Sequence, residues 1–181
     1  MRITFERMAD RRPVETLVER DDGVVFRMRG AGGGAALPHD LVHLLVEQSL
    51  RVPDGIWGCV ADGVVWGSMR HVTGRQPPHA AERSQRLKKE RAASIQAAEH
   101  LADLVGRLAR REPVLPGQVE AAGHAPDALA AAAAALTAAE QRWAALAPGK
   151  TWSIEWAGPA PVRPARSRGR SPAGSGPPRR R

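Results

Sequence analysis

Leu37-Pro38-His39-Asp40-Leu41-Val42-His43-Leu44-Leu45-Val46-Glu47-Gln48-Ser49-Leu50 is the stretch on which the fold of this chain turns. Leu41, Leu44 and Leu45, with Val42 and Leu50, recur at the spacing of one helix face; Pro38 supplies a start and Pro53-Asp54-Gly55 a stop. Upstream the period changes to two. Ile3 and Phe5 alternate with Thr4 and Glu6, then Val14, Thr16 and Val18 with Glu15 and Leu17. Val24, Phe26 and Met28 alternate in turn with Val25, Arg27 and Arg29, so three short strands are expected over 2–29. Asp21-Asp22-Gly23 offers the glycine that a tight antiparallel turn needs. A strand meander followed by an amphipathic helix predicts an α+β fold, a small antiparallel sheet packed by the helix 38–50. Between them, Gly30-Ala31-Gly32-Gly33-Gly34 reads as a flexible connector, and it lacks the Lys-Ser/Thr that completes a phosphate loop.

Downstream, residues 56–67 fit either a hairpin turning at Asp62-Gly63 or a short helix capped by Gly63. Pro77-Pro78 marks a boundary. From Ala80 to Arg111 no proline interrupts a helical stripe of Leu87, Ile95, Ala98, Leu101, Val105 and Leu108, and its charged first half is expected to project into solvent. After a Pro/Gly-containing loop over 112–125, a second helix runs from Pro126-Asp127 to before Pro148-Gly149, with Leu129, Leu136 and Trp143 on one seam. The pair is expected to form a long helical hairpin. Its facing alanines bury little area at about 25 cal/mol per Å², so docking on the N-terminal unit or self-association would have to supplement it. Trp152, Ile154 and Trp156 alternate as a last strand, able to join the sheet, while Trp57, Trp66, Trp152 and Trp156 are expected to supply most of the aromatic core. The expected division is an α+β unit over 1–76, the hairpin over 77–150, a returning strand over 151–157 and a disordered Arg/Pro/Gly tail over 158–181.

The chain has 181 residues with Lys+Arg 27 against Asp+Glu 19, and seven of those bases are arginines from Arg163 to Arg181. The body is therefore near neutral and the tail carries the charge. Leu, Ile, Val and Phe make up roughly 19% of the chain, too few for a large single core. One cysteine, Cys59, cannot form an internal bridge and reads as a small buried hydrophobe. No apolar run reaches bilayer length and the first residues lack a signal-peptide pattern, so a cytoplasmic location without a membrane role is expected.

One constellation could carry chemistry. His39 and His43 stand four residues apart on the opening turns of the helix, about 5–6 Å apart on one face, near enough for two nitrogens to share a divalent metal ion. With Asp40 between them the run resembles the zinc-protease pattern His-Glu-x-x-His, Asp40 standing one methylene short of the glutamate that acts as general base there. Glu47 lies about 12 Å along the axis from His39, too far to close one coordination sphere with it. A third ligand has to come from elsewhere, and His71, His79, His100 and His124 stand in no recognisable spacing. In a purely structural reading Asp40 interacts with the helix N-terminus and His43 hydrogen-bonds Glu47.

Leu37-Pro38-His39-Asp40-Leu41-Val42-His43 with Val46-Glu47, then Ile56-Trp57-Gly58 and Ala61-Asp62-Gly63, resembles a group of uncharacterised bacterial proteins. These share a strand-rich start, a His-Asp-Leu-x-His helix and an aromatic-Trp-Gly segment. The likeness covers residues 1–70, implies a short helix over 56–63, and brings no activity to His39, Asp40 or His43. Three functions are consistent with the residues. The first is a non-enzymatic binding or adaptor protein that meets a protein partner, or a second copy, through the hairpin. The second is a metal-dependent hydrolase centred on His39, Asp40 and His43. The third is non-specific nucleic-acid association through the arginine-rich tail, which has phosphate-binding cations but no aromatic residue for stacking.

Overall fold

The structure is a computed structural model that describes residues 1–9 and 12–158, with the backbone alone at 31–33. Its elements in chain order are β1 (Arg2–Glu6), β2 (Pro13–Glu19), β3 (Val25–Gly33), α1 (His39–Leu50), α2 (Ile56–Ala61), β4 (Met69–Thr73), α3 (Ala80–Glu90), α4 (Ala92–Ala109), α5 (Pro116–Ala121), α6 (Pro126–Ala145) and β5 (Thr151–Glu155). The fold is α+β, and all paired strands are antiparallel in the order β4-β3-β2-β1-β5. The alternation in the first three strands is real: Ile3, Phe5, Val14, Val18, Phe26 and Met28 point to the buried face. The last strand joins the sheet as β5, pairing Ile3 with Ile154 and Phe5 with Trp152. The arginine-rich segment expected as a disordered tail lies, beyond residue 158, outside the described residues.

Three expectations need correction. The glycine run does not interrupt regular structure at Gly30, because β3 continues to Gly33, which pairs with Pro13 across a register shift. Gly30 suits this place because a Cβ there would lie 2.9 Å from Asp40 Oδ2, so its missing side chain leaves room for α1. The helix expected over 80–111 is two helices that meet at Arg91, whose guanidinium reaches Asp62 at 2.6 Å. The charged α3 is mostly exposed, as expected, with only Ser84 buried, and is tethered by polar contacts: Ser84 Oγ accepts the Val65 N–H at 2.9 Å and Lys88 Nζ donates to the Val65 carbonyl at 2.6 Å. The 112–125 loop contains α5, and β4 adds an edge strand where no strand pattern was evident, since four of its five residues are exposed.

α1 is sandwiched. Leu41 and Leu44 join the sheet residues, Trp57, Trp143 and Trp152 in one apolar cluster; Val46 and Leu50 join Leu101, Leu104, Val105, Leu129 and Leu136 in a second. The seam of α6 is thus consumed inside the chain, with Leu129, Leu136 and Trp143 all buried. Arg7, at the end of β1, donates to the Trp143 and Ala144 carbonyls at 3.1 and 2.7 Å and also to Leu146, placing a cation where the α6 dipole is negative. Of the tryptophans expected in the core, Trp57, Trp152 and Trp156 are buried, and Trp66 is half-buried beneath Lys88 Nζ, 5.3 Å from its ring centroid. Among the described residues no helix is long and apolar enough to cross a membrane.

Candidate metal centre

Pro38 stands at the N-cap of α1 in an extended conformation, so His39, Asp40 and His43 occupy its first two turns. The i, i+4 spacing stacks the two imidazoles edge to face with ring centroids 4.6 Å apart. Across from them runs α4, and Glu99 on it closes the group. Its Oε2 lies 3.1 Å from His43 Nε2 and 3.9 Å from His39 Nε2. One ligand atom from each of the three residues lies within 4.8 Å of the others. Bonds of about 2.0–2.1 Å to a tetrahedral ion would set donors roughly 3.3 Å apart, so shifts of about an ångström or more in the two surface side chains would bring all three donors to bonding distance and leave the fourth position open. Burial is graded across the group: His43 is enclosed at 2% side-chain exposure, while His39 at 60% and Glu99 at 47% face water.

Electrostatics bind the group together. Desolvation opposes charge on His43, yet Glu47 and Glu99 on either side outweigh it and push its pKa above the ordinary imidazole range. Burial raises the Asp40 carboxyl, against the opposing pull of His39 and His43. Asp40 is packed at Gly30 on the β3 side of α1, and its carbonyl accepts the Trp57 indole N–H at 2.8 Å. Glu47, as expected, is not a member of the His39 cluster. Its carboxylate is buried under the N-terminus of α2, accepting N–H bonds from Ile56 at 2.8 Å, Trp57 at 3.0 Å and Gly58 at 3.4 Å. Its Oε1 stands 3.7 Å from His43 Nδ1, outside hydrogen-bond range but within charge attraction.

The other histidines go elsewhere. His71 bonds the Gly74 carbonyl through Nε2 at 2.8 Å and packs edge-on against Phe26. His79 precedes α3 in a left-handed conformation, and His100 and His124 line a separate cavity of about 480 Å³ with Asp54 and Asp103. Sequence reasoning does not reach Glu99 because it sits beside His100 on a helix face that reads as solvated, and only the crossing of α4 over α1 brings its half-exposed carboxylate against His43. The signal available was its neighbour Ala98, one of the small stripe residues that let another helix approach closely. No protein-family model matches this chain, and no curated protein or solved structure matches it.

Proposed function

We propose that this protein binds one divalent transition-metal ion between α1 and α4, with His39, His43 and Glu99 as ligands. The observation that carries this reading is the approach of Glu99, from a different helix, to both imidazole nitrogens of the His-x-x-x-His turn. Two imidazoles and one carboxylate suit zinc and its neighbours. Because two of the three ligands are exposed, positions left on the ion would face water. Such an ion would acidify a bound water and polarise a carbonyl or phosphoryl oxygen, which makes metal-assisted hydrolysis the activity to seek. Asp40 occupies the sequence place of the general base, but its packing at Gly30 favours a supporting role over proton transfer.

The adaptor reading drew on the Leu129/Leu136/Trp143 seam, and that seam is filled by α1 and the sheet. The arginine-rich segment that motivated nucleic-acid binding lies outside the described residues. Metal analysis of the purified full-length chain, followed by zinc titration against a chromophoric competitor, tests the metal reading. One equivalent per chain is expected, lost in His39→Ala/His43→Ala and weakened at least tenfold in Glu99→Gln. Retention of full affinity by the double histidine variant would refute it.

A further inference from the structure

We propose that Glu47 is the positioning residue of this metal centre: its buried carboxylate keeps Nδ1 of His43 as the protonated ring nitrogen and so presents Nε2 to the ion. This deepens the metal-binding reading and rests on it. Glu47 is 2% exposed, and a carboxylate so enclosed persists only where donors compensate its lost hydration. The first three amides of α2 provide that compensation and engage both oxygens, fixing the group in place. The loop is shaped around it. A Cβ on Gly55 would lie 2.6 Å from Glu47 Cδ, which explains a glycine at the foot of α2.

The ring of His43 lies between this fixed acid and the half-exposed Glu99. Nε2 meets Glu99 at 3.1 Å, whereas the buried Nδ1 has no hydrogen-bond partner among the described residues and faces Glu47 Oε1 at 3.7 Å. An imidazole nitrogen that bears a proton is drawn toward a carboxylate, and one that bears a lone pair is repelled. Without an ion each carboxylate favours a proton on the nitrogen that faces it; once an ion replaces the proton between Nε2 and Glu99, Glu47 holds the remaining proton on Nδ1 and leaves the Nε2 lone pair to the ion. Metal-bound histidines commonly hold a carboxylate on the far ring nitrogen in this way, and its loss weakens metal affinity by roughly 10–100-fold.

The test uses the full chain with Zn²⁺ alone as probe. Long-range proton–nitrogen NMR of the zinc-loaded protein is expected to show His43 protonated at Nδ1 and metal-bound at Nε2. Glu47→Gln keeps the volume and one acceptor oxygen for the α2 amides; it is expected to retain the wild-type circular dichroism spectrum and to bind zinc about 10–100-fold more weakly. Zinc on Nδ1, or equal affinity in a folded Glu47→Gln, overturns the positioning role while leaving the metal site intact. Wild-type protein that binds no zinc removes the metal reading, and this assignment falls with it. Should Glu47→Gln fail to fold, the wild-type nitrogen spectrum decides alone.

Discussion

Gly58 is the position where a single methyl group would meet the hardest obstacle. A Cβ there would lie 1.9 Å from the Pro53 carbonyl oxygen, a backbone atom that cannot swing aside, whereas one on Gly67 would meet nothing within 4 Å. Gly58→Ala is expected to destabilise the fold by about 3 kcal/mol or more and Gly67→Ala to stay within about 0.5 kcal/mol. Urea titrations of the two variants check the contrast; equal midpoints would contradict the packing. The next residue, Cys59, is fully buried, and burial pushes its thiol pKa up against the opposing influence of Arg91. Since the thiolate is the nucleophile, a disulfide reagent is expected to leave Cys59 untouched in the native protein and to label it only as urea unfolds the chain. Prompt labelling of the native state would show the thiol to be accessible. The same shift sets a pH sense. Below about pH 8.5 the thiol is protonated in both states; above it the unfolded chain ionises first and stability falls.

Elements here hold together by tertiary contacts more than by their own propensity. α2 has six residues, well short of a length that is stable alone, and is fastened to α1 by Glu47 beneath its amides and by the Trp57 indole on the Asp40 carbonyl. β4 is held less well: on the solvent face Arg70 lies directly opposite Arg27 of β3, and both are exposed. Like charges opposed across strands repel, so Arg27→Thr is expected to stabilise the protein by roughly 0.2–1 kcal/mol, with the gain shrinking in high salt. A thermal melt at two ionic strengths measures it, and a salt-independent loss of stability would contradict it. Local pattern made the first three strands, α1 and β5 legible, because each buries one face at its own period. It could not show β4, which has almost no buried side chain, nor the break at Arg91, which answers to Asp62 some thirty residues away. The candidate site divides in the same way: His39 and His43 follow from spacing within one helix, whereas Glu99 is 56 residues from His43 and enters only through helix crossing.

At the scale of the molecule, α1 joins two apolar clusters, and the proposed ion sits where α1 crosses α4. An ion at that crossing would brace the helical layer against the sheet-bearing helix, so metal affinity and folding stability should rise together. At a free zinc concentration of 100 times Kd the gain is expected to be about 2.7 kcal/mol. Its pH dependence is distinctive. Without metal, the raised pKa of His43 means that its charge interactions with Glu47 and Glu99 are fully present below the unfolded imidazole value of about 6.5 and are lost as pH rises through the higher folded value. With zinc the sense reverses, because the ion requires unprotonated imidazoles and competes with protons for His39 and His43. Stability measured from pH 5 to 8 by urea unfolding should therefore carry a falling contribution from His43 in the chelated protein and a rising contribution from zinc in the loaded one. The two series should diverge toward pH 8 and converge toward pH 5, and a zinc increment independent of pH would place the ion on ligands other than these histidines.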